Sequence, residues 1–187
     1  MTTTSIAAAP NAAAPNTAAP NTAAPVASST VQINRIYIKA TPQAIWDAIT
    51  RPEWTEKYGY GGRVDYDLRP GGSFRSIADD DMQQAGMPEC LVDGEVIESD
   101  PPTRLVQTWR AAWTNDPPTR LTYDIAAKAN GVTCLTITHD LDGAADTAAM
   151  VSGSVDGAGG GWAEVLSDLK TLLETGRSLF SLGVSGA

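Results

Sequence analysis

The chain has 187 residues, enough for one domain with a substantial core and too few for two ordinary ones. With 13 Lys and Arg against 22 Asp and Glu it carries a net charge of -9. That balance argues against nucleic acid and anionic membrane as partners, since both are held through Lys/Arg neutralisation of phosphate. Cys90 and Cys134 are too few for a disulfide framework and lack metal-ligand spacing, so each reads as a small hydrophobe inside a strand, and no metal is expected. No apolar run approaches the roughly 20 residues of a membrane span. A basic and then apolar signal segment is also missing, so a cytoplasmic protein without a membrane span is expected.

Residues 1–30 carry prolines at Pro10, Pro15, Pro20 and Pro25 in an A-A-P-N repeat, and every charged residue lies from Arg35 onward. Proline at that spacing interrupts helix, and Ala, Thr and Asn bury too little apolar surface to offset ordering entropy, so a disordered tail is expected. From Val31 the pattern changes. The stretch "VQINRIYIK" reads as a strand whose apolar parity slips near Asn34, either a bulge or the strand's start. In "TPQAIWDAIT" Thr41 can cap a helix, Pro42 suits its first position, and Ile45, Trp46 and Ile49 make one face. "RPEWTEKY" reads as a second short helix after a break at Pro52.

Six β runs follow, from "GRVDYDLRP" to "GVTCLTITHDL", joined by turn residues, and they imply an antiparallel meander. Asn130-Gly131 is the strongest hairpin signal because both residues tolerate positive φ. Leu121, Tyr123 and Ile125 share one face, as do Leu135, Ile137 and His139, while Asp140 and Asp142 should be solvated. The adjacent Asp79, Asp80 and Asp81 read as a solvated loop, and "DGAADTAAMVSGSVDGAGG" as a flexible one. Trp162, Val165, Leu166, Leu169, Leu172 and Leu173 then form the apolar stripe of a long helix ended by Gly176, with Glu164, Asp168, Lys170 and Glu174 outside the stripe. The order strand, two helices, six strands, long helix describes an α+β domain over 31–177, followed by a flexible tail at 178–187.

That order resembles the SRPBCC superfamily, the START/Bet v 1-like helix-grip fold, and within it the bacterial proteins similar to the C-terminal domain of the heat-shock protein 90 ATPase activator. The phrases that carry the resemblance are "IYIKATPQAIWDAITRPE", "RPGGSFR", "GEVIESDPPTRLVQTW", "GVTCLTITHDL" and "GWAEVLSDLKTLLETG". The resemblance implies a curved antiparallel sheet of about seven strands gripping the C-terminal helix around a hydrophobic pocket. Members include lipid carriers, polyketide aromatases and cyclases, and plant hormone receptors. The eukaryotic activator has a separate N-terminal domain where this chain has its Ala/Pro/Asn repeat, which weakens a co-chaperone role.

On that fold the inward parity lines the cavity with Phe74, Trp109, Trp113, Leu121, Tyr123, Leu135, Ile137 and Trp162, with Trp46 and Tyr58 near the helix pair. Aromatics suit a flat or greasy ligand, although they serve equally as ordinary core. His139, the single histidine, is the candidate for acid-base work or a ligand hydrogen bond, or else a structural residue. Gly159 to Gly161 can bend the chain onto the sheet and let the helix end move. Nucleophile-elbow, zinc-protease, Walker and dinucleotide patterns are all missing, so no cofactor is expected. The expected function is binding of a hydrophobic or aromatic small molecule without demonstrated catalysis. The alternatives are a cyclase-like enzyme using the same pocket and a protein-interaction module using outer-face charges such as Arg110 and Asp124.

Overall fold

Thr41 sets the first helix as its residue type predicts. Its hydroxyl oxygen accepts from the Ala44 N–H at 3.1 Å, Pro42 opens α1 (Pro42–Thr50), and Ile45, Trp46 and Ile49 are buried. The structure, a computed structural model, describes residues 31–180, so the N-terminal repeat and the segment 181–187 lie outside the described residues. Before α1 runs β1 (Val31–Ile38), and after it come α2 (Pro52–Thr55), β2 (Arg63–Tyr66), β3 (Ser73–Ile77), α3 (Asp80–Gln84) and β4 (Cys90–Asp100). The chain continues through β5 (Arg104–Ala111), β6 (Thr119–Ala127), β7 (Thr133–Asp140), α4 (Ala145–Val151) and α5 (Gly161–Thr175).

The strands form one antiparallel sheet in the order β1-β7-β6-β5-β4-β3-β2. Alternation places Leu105, Gln107 and Trp109 of β5, Leu121, Tyr123 and Ile125 of β6, and Leu135, Ile137 and His139 of β7 on one inner face, with Leu105, Tyr123 and Ile137 in a row across the three strands. α5 lies across that face, with Leu166, Leu169 and Leu172 buried, each contributing on the order of 2 kcal/mol of apolar burial. This is the helix-grip arrangement. Asn130 and Gly131 both take positive φ in the turn between β6 and β7, as their residue types predict. Cys134 is buried in β7 and Cys90 is half-buried at the start of β4.

Four local readings are corrected. The parity slip in β1 is not a bulge: pairing with β7 is unbroken from Val31 opposite Asp140 to Ile38 opposite Thr133. Val31 and Ile33 face outward, and Gln32 faces inward because its amide donates to the Ala148 carbonyl of α4 at 3.0 Å. A bulge occurs instead in β4, where Ile97 is the extra residue between the pairs Val96–Gln107 and Glu98–Val106. The aspartate run is solvated as expected but opens helix α3: Asp79 accepts from the Met82 N–H at 2.8 Å, and Asp80 and Asp81 lie at its favourable N-terminal end. Part of the glycine-rich connection is also helical, as α4. Finally, Asp168 is fully buried, and Lys170 and Glu174 tie α5 to the sheet edge, Lys170 donating to the Tyr37 carbonyl at 2.6 Å and Glu174 accepting the Lys39 N–H at 2.7 Å.

Candidate functional site

Between the inner face, α5 and two loops lies a cavity of about 660 Å³. Of the residues expected on its wall, Tyr58, Phe74, Trp109, Trp113, Tyr123, Leu135, Ile137 and Trp162 are there. Trp46, Leu121 and His139 are not: Trp46 packs into the core from α1, Leu121 is sealed beneath the wall, and His139 has no exposed surface. The mouth is formed by Gly59 to Gly62 on one side and Gly157, Ala158, Gly159 and Gly161 on the other. A bar crosses it, because the Gly161 N–H donates to the Tyr60 hydroxyl oxygen at 3.2 Å.

The glycines at the start of α5 serve close packing. A Cβ on Gly159 would lie 2.6 Å from the Tyr60 hydroxyl, and one on Gly161, whose φ is +61°, would lie 2.2 Å from the Val151 carbonyl oxygen. The opposite loop is held by Asp168, whose carboxylate accepts from the N–H groups of Gly59 at 2.8 Å and Leu179 at 2.6 Å, and from the Ser178 hydroxyl at 3.2 Å. These bonds carry the packed chain past residue 177. Sequence reasoning missed Asp168 because its helical position alone reads as solvent-facing. Only the return of two distant backbone segments makes it a buried acceptor.

Met82, Met87 and Met150 also line the cavity, the first from α3 and the last from α4. Flexible thioethers at a rim adapt to ligand shape. Helices of five and seven residues are too short to show helical periodicity, which hid these contributions from the sequence.

His139 sits behind Trp109 and Trp162, two of the three tryptophans that reach the wall. The Trp162 indole N–H donates to its Nδ1 at 3.1 Å, and its Nε2 lies 2.7 Å from the Thr119 hydroxyl, which itself donates to the Trp109 carbonyl at 2.9 Å. An indole nitrogen only donates, so Nδ1 accepts, Nε2 carries the proton, and the chain runs Trp162 to His139 to Thr119 to Trp109 in one direction. Its ring meets those of Trp109 and Trp162 edge-on, at centroid distances of 5.4 and 5.9 Å. Burial lowers its pKa to about 4, with Asp140 opposing weakly, so the ring is neutral near pH 7. Both of its nitrogens are engaged within the protein, and it backs the two tryptophans with no surface of its own on the cavity.

Among the described residues, no Asp, Glu, Lys, Arg or His lines the cavity. Its polar groups are mainly phenols. Tyr58 donates to the Ala48 carbonyl at 3.1 Å, and Tyr66, stacked on Phe74, donates to Gln107 Oε1 at 2.7 Å. Burial raises the pKa of Tyr58, Tyr66 and Tyr123, so all stay neutral at ordinary pH. The wall can therefore enclose apolar matter and offer neutral hydrogen bonds, without a charge to pair with an ion. No helix among the described residues is long and apolar enough to cross a membrane.

A profile of the family described as Activator of Hsp90 ATPase homolog 1-like protein matches residues 39–174. No curated protein matches the chain. Among solved structures, the fold is similar to that of DynU16, from the dynemicin biosynthetic locus, with TM-score 0.60 and 20% identity over 80% of this chain and 49% of that one. It is also similar to the Aha1 dimer from Colwellia psychrerythraea, with TM-score 0.58 and 21% identity over 79% and 98% of the two chains. PFC0360w, an HSP90 activator from Plasmodium falciparum, aligns with TM-score 0.55 and 17% identity over 76% and 95%. At these identities the likeness establishes the fold alone.

Proposed function

The chain belongs to the Activator of Hsp90 ATPase homolog 1-like family, and from that premise and the shape of its cavity we propose that it binds a hydrophobic small molecule, lipid- or polyketide-like, between the sheet and α5. The observation that carries this reading is the cavity itself. Its volume of about 660 Å³ falls within the roughly 300–1,000 Å³ of small-molecule sites, and its wall is mostly aliphatic and aromatic. A space of that size within a core otherwise closed by Leu135, Ile137, Leu166 and Leu169 forgoes packing that a folding-only design would keep. One structural neighbour belongs to a biosynthetic locus, that of dynemicin, which is in keeping with a small-molecule ligand.

Cyclase-like catalysis in the same cavity would have to run through the neutral tyrosine hydroxyls, the most acidic side-chain groups on the described wall. A protein-partner role, suggested by the neighbour that is an HSP90 activator, would use the outer face. There Arg110 pairs with Asp93 at 2.6 Å, and Arg104 is held by Glu98 and Asp124. The deciding experiment is a native mass spectrum of the protein purified from its own host, followed by denaturation and identification of what is released. An apolar compound that leaves on denaturation supports the reading. A protein that carries nothing and takes up no apolar fluorophore overturns it.

A further inference from the structure

Four of the five tyrosines line the cavity, and three of them are committed to the protein. Tyr58 and Tyr66 spend their hydrogens on Ala48 and Gln107, while Tyr60, half exposed at the mouth, accepts from the Gly161 N–H. Tyr123 is different. It projects from the middle of β6, it is more than nine-tenths buried, and its hydroxyl makes no hydrogen bond to any described residue. Gln107, its diagonal neighbour on the same face of the β5–β6 pair, gives Oε1 to Tyr66 but leaves Nε2 enclosed and without an acceptor. Gln107 itself is fully enclosed behind the wall, so this corner of the apolar cavity presents one unspent hydrogen-bond donor, the Tyr123 hydroxyl, and no ionised group. Buried polar atoms are nearly always paired in folded proteins, so an unspent donor on a wall marks the place where a ligand supplies the acceptor.

Resting on the cavity-binding reading above, we infer that the ligand is a neutral apolar molecule bearing a carbonyl-type oxygen, a ketone, quinone or ester, and that Tyr123 Oη donates to that oxygen. Phenols donate hydrogen bonds better than they accept them, which favours a carbonyl over an aliphatic amine, whose protonated nitrogen only donates and would bury a charge. The absence of Lys, Arg and His from the described wall disfavours free carboxylates and phosphates, because an ionised head would be buried without a counter-charge. Fatty-acid anions and phospholipid headgroups are therefore poor occupants, and polycyclic ketones and quinones good ones. Gln107 holds Tyr66 against the same corner and acts through it, as a positioning residue.

The test is calorimetric titration with three probes of one shape: 2-acetylnaphthalene, 2-isopropylnaphthalene and 2-naphthoate. Each is titrated into the wild type, Tyr123→Phe and Tyr58→Phe. Tyr123→Phe removes a hydroxyl that bonds nothing in the protein, so its melting temperature should match or exceed that of the wild type. It should weaken the ketone by about three- to tenfold and leave the hydrocarbon within about twofold. The naphthoate should bind the wild type at least about tenfold more weakly than the ketone. Tyr58→Phe should leave the ketone-to-hydrocarbon ratio unchanged, because that hydrogen is already spent on Ala48. Equal losses for ketone and hydrocarbon in Tyr123→Phe, or naphthoate binding as tight as the ketone, would overturn the inference while the cavity reading stands. Failure of all three probes to bind the folded wild type would overturn both.

Discussion

Lowering the pH should destabilise this protein through His139, and the size of the effect follows from its burial. The imidazole has no exposed surface and its pKa falls from the ordinary 6.5 to about 4, because the charged form would lose water while Nδ1 must stay free to accept from Trp162. The unfolded chain takes up a proton near pH 6.5, whereas the folded one resists until about pH 4. The stabilisation is therefore complete above 6.5 and is lost as the pH falls towards 4. That interval corresponds to ~3 kcal/mol. For a domain of this size, at about 2–4 °C per kcal/mol, it means a fall in Tm of roughly 6–12 °C. The assay is thermal unfolding at half-unit steps from pH 7 to pH 4, comparing the wild type with His139→Gln. The variant keeps an amide that can accept from Trp162 but does not titrate. Carboxylates titrate in both proteins and cancel in the difference, so the wild-type curve should drop towards the variant's as the pH falls. Two parallel curves would refute the account of His139 as a buried neutral acceptor.

Asp168→Ala should cost about 2–4 kcal/mol in urea unfolding, because the N–H groups of Gly59 and Leu179 lose their acceptor. Amide exchange at Gly59 should speed up in step, and a loss below about 0.5 kcal/mol would sink the idea that this carboxylate holds the mouth loop. Gly161→Ala should destabilise by at least about 2 kcal/mol, since its methyl would meet the Val151 carbonyl and its φ is positive. Gly71→Ala is the control: φ is +81° there, but nothing lies within 4 Å of the added methyl, so only about 1 kcal/mol of backbone strain is expected. If the two variants melt together, close approach at Gly161 is not what requires a glycine.

The order of the elements was legible in the chain because the signals are local. Alternation at Leu121, Tyr123 and Ile125, a cap at Thr41 followed by Pro42, positive φ at Asn130 and Gly131, and the stripe from Trp162 to Leu173 each depend on neighbours a few residues away. Those periods also turned Phe74, Trp109, Tyr123 and Trp162 towards one space, where Tyr58 and Trp113 from the adjoining turns meet them on a common wall. What each inward residue finally touches is not local. His139 has the same parity as Ile137, yet Trp109 and Trp162, distant in sequence, close over it, and so one reaches the cavity while the other becomes a buried strut. Asp168 is the converse: a charge at a surface-like helical position becomes a core acceptor when residues 59 and 179 arrive beside it. Period determines which side of an element a residue occupies. The separation between packed elements decides whether that side meets water, a cavity or another side chain, and only the tertiary structure sets that separation.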